Sequence, residues 1–412
     1  MDIKQKRTLI RNVMLNGELT HILIEGNRFS DLRAPYDTPA DIYISGEGKA
    51  ILPPFYNAHT HAAMTLLRGY ADDLPLQKWL TEYIWPYEAQ MKPEDIYNGS
   101  RLAILEMIKS GTVFFSDMYW AQDETIRAVA EMGIRATIGV TLMDGLDEKK
   151  LFRYFDEWKD PTDGRITLSV APHAIYTVSE DLFLKCAEMA EYHHVILHTH
   201  LSETRQEVDE CIRKHGKTPV RWLDSLGVLT PNVIVNHAVH VDEEEIDILK
   251  ERGVTVVHNP CSNMKLSSGI FPTKQFIDAG CHIALGTDGC SSNNNLDMRE
   301  GMKVASLLAK VCYSPEILPV KEIFKWATEN GAQAYRIDGG VIAVGKLADA
   351  LLIDLNNERM QPCYDLLSNW VYSADSGCID TVICNGRVIM EQRRVQGEDD
   401  IIACIKQKYH RV

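Results

Sequence analysis

Through the middle of the chain, short apolar runs alternate with stretches in which apolar residues recur every three or four positions. The runs at 51–57, 113–115, 136–142, 166–171, 195–200, 233–236, 254–258 and 282–286 are continuously apolar, as strands covered on both faces are. Between them, 101–109, 123–132, 180–192, 205–215, 243–251 and 295–310 carry helical periodicity. Eight such units over roughly 300 residues predict a (β/α)8 TIM barrel, with its working face at the C-terminal ends of the strands.

The two ends of the chain differ from the middle. Thr8-Leu9-Ile10, residues 21–24 and Ile42-Tyr43-Ile44 are short strand-like runs, and so are 350–354 and 381–390, the last broken by an Asn385-Gly386 hairpin signal. Neither end can bury a core alone. Both are therefore expected to pair into one small β-sandwich domain, which assigns 1–50 and 346–412 to that domain and 51–345 to the barrel. A chain of 412 residues has room for both.

Charge and cysteine content narrow the partners. The formal net charge is −15 and no Lys/Arg-rich run occurs, which argues against nucleic acid or an anionic membrane. The 10 Cys are scattered without paired spacing, no apolar run reaches the length of a membrane span, and residues 1–7 lead into a strand-like stretch. A cytoplasmic protein with reduced thiols is expected, and a homo-oligomer is compatible with the sequence.

Candidate chemistry lies where the strands should stop. In Asn57-Ala58-His59-Thr60-His61 the two histidines are two apart, so on a strand they project to one side and suit a single metal ion. Such a pair is common in a chain with 14 His, but other runs end in His173, His200, His237 and Asp288. His59, His61, His200 and Asp288 form a set suited to Zn2+, and iron or manganese accept the same ligand types. His198 competes with His200, because in His198-Thr199-His200 both point one way. Glu203, at an expected helix start with Ser202 just before it, could be an ordinary first-turn acid or a carboxyl that shuttles protons beside the metal. The fourth strand ends in Val170-Ala171-Pro172-His173 with no Lys to bridge a second ion, so one metal per chain is expected. No Gly-x-Ser-x-Gly or Walker A pattern is present.

Nearly the whole chain resembles the amidohydrolase superfamily and, within it, the 5′-methylthioadenosine/S-adenosylhomocysteine deaminases. The resemblance is carried by residues 57–61 with Leu67-Arg68-Gly69-Tyr70-Ala71-Asp72-Asp73, and by Ile84-Trp85-Pro86-Tyr87-Glu88. It continues in His198-Thr199-His200-Leu201-Ser202-Glu203-Thr204, residues 258–266, and Leu285-Gly286-Thr287-Asp288-Gly289. It implies that His200 is the third histidine ligand, that Glu88 holds the ribose hydroxyls, that His173 and Glu203 contact the purine, and that Trp79 lies near the far end of a nucleoside substrate. Glu203 would protonate N1 of the ring, while His237 and Asp288 would orient and deprotonate the attacking water. The family commonly carries an Arg where Val140 stands, so small uncharged 5′ groups are expected over S-adenosylhomocysteine. Alternatives are a related amidohydrolase acting on another purine, a pterin or a triazine, and a catalytically dead barrel that only binds.

Overall fold

The computed structural model describes residues 6–162 and 164–409, so the expectations for 1–5 and 410–412 lie outside the described residues. The chain opens with strands β1 (Arg7–Leu15), β2 (Glu18–Glu25), β3 (Arg28–Asp31) and β4 (Ile42–Leu52). Eight strands follow: β5 (Phe55–Thr60), β6 (Thr112–Tyr119), β7 (Arg135–Leu142), β8 (Ile166–Pro172), β9 (Ile196–Leu201), β10 (Val233–His237), β11 (Thr255–His258) and β12 (His282–Leu285). The tail adds β13 (Ala350–Asp354), β14 (Ile379–Cys384) and β15 (Arg387–Met390).

Strands β5 to β12 pair in parallel and in chain order, the topology of a (β/α)8 barrel. The last strand meets the first through an unusual seam. The Asn57 side chain accepts from the Thr287 backbone N–H (3.1 Å) and donates to Thr287 Oγ1 (2.7 Å), and the Asp288 N–H donates to the His59 carbonyl (3.0 Å). A side-chain amide thus makes bonds that the backbone ladder makes elsewhere. Phe55, Phe114, Phe115, Val170 and Val235 are among the fully buried residues of the core, each contributing about 1.5–3 kcal/mol of transfer free energy.

The remaining strands form a separate seven-stranded mixed sheet, in the order β15-β14-β13-β4-β1-β2-β3, built from both chain ends. Ile10, Ile24 and Phe29 from one end share an apolar core with Leu352 and Ile383 from the other. A buried polar cluster joins this sheet to the N-terminal end of the barrel. Arg135, at the start of β7, donates to Asp349 (3.1 Å) and to Asn385 Oδ1 (2.6 Å), while Asp349 also accepts from the Tyr56 hydroxyl (2.7 Å) and the Asn385 N–H (2.5 Å).

Three boundaries depart from the sequence reading. Ile51 and Leu52 complete β4 in the small sheet, and the barrel starts only at Phe55, because Pro53-Pro54 offers no N–H to continue a ladder. Strand β6 runs on from Phe115 through Ser116-Asp117-Met118-Tyr119, all buried; Asp117 accepts the Ala62 N–H (2.7 Å), which offsets the burial of its carboxyl. In the tail, the helices Leu366–Tyr372 and Glu398–Tyr409 pack on the barrel's helical layer: Trp370 joins the barrel core and Lys109 pairs with Glu398 (2.8 Å). Among the described residues no helix is long and apolar enough to cross a membrane.

Candidate active site

The C-terminal ends of β5, β8, β9, β10 and β12 bring His59, His61, His173, His200, His237 and Asp288 together at one rim. Two groups of possible ligands share His59: His59 with His61 and Asp288, and His59 with His200 and His237, the ligand atoms in each lying within 4.8 Å of one another. Asp288 Oδ1 is 3.2 Å from His61 Nε2 and 3.5 Å from His59 Nε2.

The neighbours of each ring decide which nitrogen is free. His61 Nδ1 lies 2.6 Å from the Met118 carbonyl and His200 Nδ1 lies 2.7 Å from the His173 carbonyl. A carbonyl can only accept, so Nδ1 carries the proton in both and Nε2 keeps its lone pair for a metal. His59 Nδ1 faces His198 Nε2 (3.2 Å), and His59 Nε2 is buried with no hydrogen-bond partner. His198 itself, fully buried, lies behind His59 against Asn236 Oδ1 (3.1 Å), so of the competing pair it is His200 that lines the cavity. Asp288 Oδ2 accepts from Ser262 (2.6 Å) and Ser292 (3.1 Å), and the Gly289 N–H donates to Oδ1 (2.9 Å).

The rim backbone is held in sparsely populated conformations. Ser202, His237 and Asp288 have φ of 49°, 72° and 61°, a region costing non-glycine residues about 1–3 kcal/mol each and common at functional sites.

Electrostatics follow from burial and from the carboxylate. Burial pushes His59 and His200 well below the usual histidine range, and His173 to about 3. Burial also opposes charge on His61, but hydrogen bonding to Asp288 and the Met118 carbonyl outweighs it and lifts the group to about 9. Burial likewise opposes charge on Asp288, yet His59 and His61 hold it well below the carboxylate range. The carboxylate therefore draws positive charge to this spot. A buried imidazole nitrogen without a hydrogen-bond partner, two rings whose Nδ1 is tied to a carbonyl so that Nε2 is turned to the site, and a carboxylate fit a divalent cation.

Above the rim opens a cavity of about 640 Å³, within the size range of small-molecule sites. His61, His173, His200, Glu203, His237 and Asp288 line its floor, and Trp79 and Glu88 line it further out. Glu88 accepts a hydrogen bond from the Tyr119 hydroxyl, and burial raises its pKa. Glu203 Oε2 lies 3.8 Å from His237 Nε2 and its other oxygen accepts from Ser268 (3.1 Å); burial raises this carboxyl too. Glu203 is not at a helix start: Thr204 caps the helix Arg205–His215, and Glu203 sits one residue before that cap. Val140 is fully buried on the core side of β7 and does not reach the cavity, whereas Thr141 and Met143 line it. Sequence reasoning gave no role to Asn57, Tyr119, Ser262, Asn263 or Ser268. Most stood inside quoted motifs, but only the fold shows what each one holds, as with Asn263 on His237 Nδ1 (2.7 Å).

Residues 50–389 match the amidohydrolase family. A 5′-deoxyadenosine deaminase of Methanothermobacter thermautotrophicus is 44% identical over 386 residues, covering 91% of this chain and 90% of that one. A 5-methylthioadenosine/S-adenosylhomocysteine deaminase of Thermococcus sibiricus is 44% identical over 380 residues, covering 90% and 89%. Among solved structures, a zinc-bound adenosine deaminase of Xanthomonas campestris superposes with a TM-score of 0.92 at 33% identity, covering 97% of each chain. The chain belongs to the amidohydrolase family. Its histidine- and carboxylate-lined rim is a divalent-metal site.

Proposed function

We propose that the chain is a hydrolytic deaminase of adenosine analogues, exchanging the 6-amino group of the purine for oxygen with release of ammonia. The observation that carries this reading is the pairing of buried Glu203 with His237 at 3.8 Å on the floor of a cavity shared with the metal set. We assign His59, His61, His200 and Asp288 as the ligands of one Zn2+. Bound there, the ion lowers the pKa of water so that a nucleophile exists near neutral pH.

The protein's own groups do the rest. Burial favours the protonated form of Glu203, which donates to ring N1 and makes C6 electrophilic. His237, with Nδ1 fixed by Asn263, turns Nε2 towards Glu203 and orients the attacking water. Asp288 takes the water proton. As the tetrahedral carbon collapses, that proton leaves on the amine as ammonia, the C6 hydroxyl proton passes to Glu203 and restores its acid form, and the inosine analogue remains. Glu88, aligned by Tyr119, holds the ribose hydroxyls; His173 contacts the purine; Trp79 lies towards the 5′ end.

The outer cavity is lined by Leu76, Leu80, Trp85, Met143 and Leu151, with Lys150 as the one Lys or Arg among the lining residues. This wall is mostly apolar, although Asp123 and Asp147 also line it, and its single cation supports small uncharged 5′ groups, as in 5′-deoxyadenosine, methylthioadenosine and adenosine, over S-adenosylhomocysteine. Ten unpaired cysteines fit a reducing, cytoplasmic setting. The test is ammonia release by zinc-loaded protein from these four nucleosides, with adenine and guanine as controls. Turnover of the nucleosides is expected, falling by about 10²–10⁴-fold in Glu203→Gln. Silence on all four with metal bound would overturn the reading.

A further inference from the structure

Glu207 is a buried carboxylate with no role in the chemistry above. It is 2% exposed, makes no ion pair with a lysine or arginine among the described residues, and is not among the residues lining the cavity. Removing a carboxylate from water without a cation is costly, so its position needs a reason. Its two oxygens supply one. Oε1 accepts the Ser202 N–H at 2.8 Å and Oε2 accepts the Glu203 N–H at 2.7 Å. An acid at this place in a helix commonly reaches back to the N–H of the capping residue. Here the cap is Thr204, and Glu207 reaches past it to the two residues that join β9 to the helix.

Those two residues are held from the other side as well. The Ser202 carbonyl accepts from the Val239 N–H (3.1 Å) and the His240 N–H (2.9 Å), just beyond His237. Ser202 itself has φ of 49°, which a serine keeps only if its surroundings enforce it. The segment bearing Glu203 is therefore gripped at its N–H groups by Glu207 and at a carbonyl by the segment bearing His237. Resting on the deaminase reading above, we propose that Glu207 is a positioning residue that sets the Glu203 carboxyl against His237 and the purine ring.

The experiment compares Glu207→Gln with the unaltered, zinc-loaded protein. The isosteric amide keeps one acceptor oxygen and turns an NH2 towards the second N–H. A drop in kcat of about 10–100-fold is expected, the usual cost of losing a group that orients a catalytic side chain, with KM and metal content little changed. In a Glu203→Gln background the same substitution should cost almost nothing further, because its effect passes through Glu203. Amide exchange at Ser202 and Glu203 should quicken by about tenfold while the strands stay protected. Glu207→Asp, which keeps the charge but not the reach, serves if the amide variant does not fold, and should fall between the two. Unchanged exchange, unchanged kcat, or equal losses with and without Glu203 would each overturn the proposal. If the unaltered protein releases no ammonia, the deaminase reading fails, while the exchange measurement still decides whether Glu207 holds this segment.

Discussion

The barrel carries a buried polar cluster at each end, and the two are finished differently. At the N-terminal end, Arg135, Asp349, Tyr56 and Asn385 use one another's donors and acceptors, and Asp349 has partners on both oxygens. At the C-terminal rim, the Nδ1 atoms of His61, His200 and His237 are tied to oxygen acceptors, yet His59 Nε2 is buried without a partner. A network with every valence filled can only hold parts together; one with free valences converging on a point is waiting for something from outside. Buried polar groups therefore build a joint at one end and a reaction centre at the other.

The largest expected effect separates the two ends by function. His200→Ala should lower the rate of ammonia release by about 10³-fold or more, the several kcal/mol of charge stabilisation that a metal supplies. Metal analysis should show the ion weakened or lost, with the denaturation midpoint of the metal-free protein nearly unmoved. The reverse pattern is expected from Asp349→Ala. It leaves the Arg135 guanidinium charged and buried, which should cost about 3–5 kcal/mol in denaturant unfolding, while the activity of the folded fraction stays unchanged. A loss of kcat without a loss of stability would break the comparison.

Acid provides a finer test. Burial holds His173, His198 and His258 at about 3, against an ordinary value of about 6.5. Their folded-state values are depressed, so the stability gained by keeping them neutral is complete above about pH 6.5. It is lost as pH falls towards 3. Burial also opposes the charge on Arg135, but Asp349 outweighs it, so the guanidinium stays charged across this window. The rim should therefore loosen before the joint, visible as faster amide exchange in β9 and β10 than at the start of β7. His258→Leu, replacing a ring stacked on Phe271, should flatten the acid dependence of stability by about 1.4 kcal/mol per pH unit.

The barrel was legible because strands covered on both faces announce themselves as apolar runs; the helices Glu180–Tyr192, Arg205–His215 and Glu243–Glu251 matched their periodicity to the residue. The ring of histidines was legible because ligand types recurred at strand ends. Residues whose value is relational were not. Nothing local marks Asn57 as the seam between β5 and β12, because its partner Thr287 is 230 residues away. The apolar run at 113–115 stops short of Asp117 because a carboxylate normally ends a buried run; the Ala62 N–H that satisfies it comes from the far side of the first motif. Val140 was given a role in specificity by position along the chain, and strand alternation turns it away from the cavity.

The seam at Asn57 also sets an order of events during synthesis. Translation delivers the strand bearing His59 and His61 long before residue 288, and that strand must wait with one edge unmatched until β12 arrives. Closing the cylinder and completing the proposed ligand set are then a single step, since Thr287 and Asp288 dock on Asn57 and His59 together. A chain interrupted before β12 keeps its imidazoles but has neither the carboxylate nor the closure. Metal retention thus reports that the whole ring has been made.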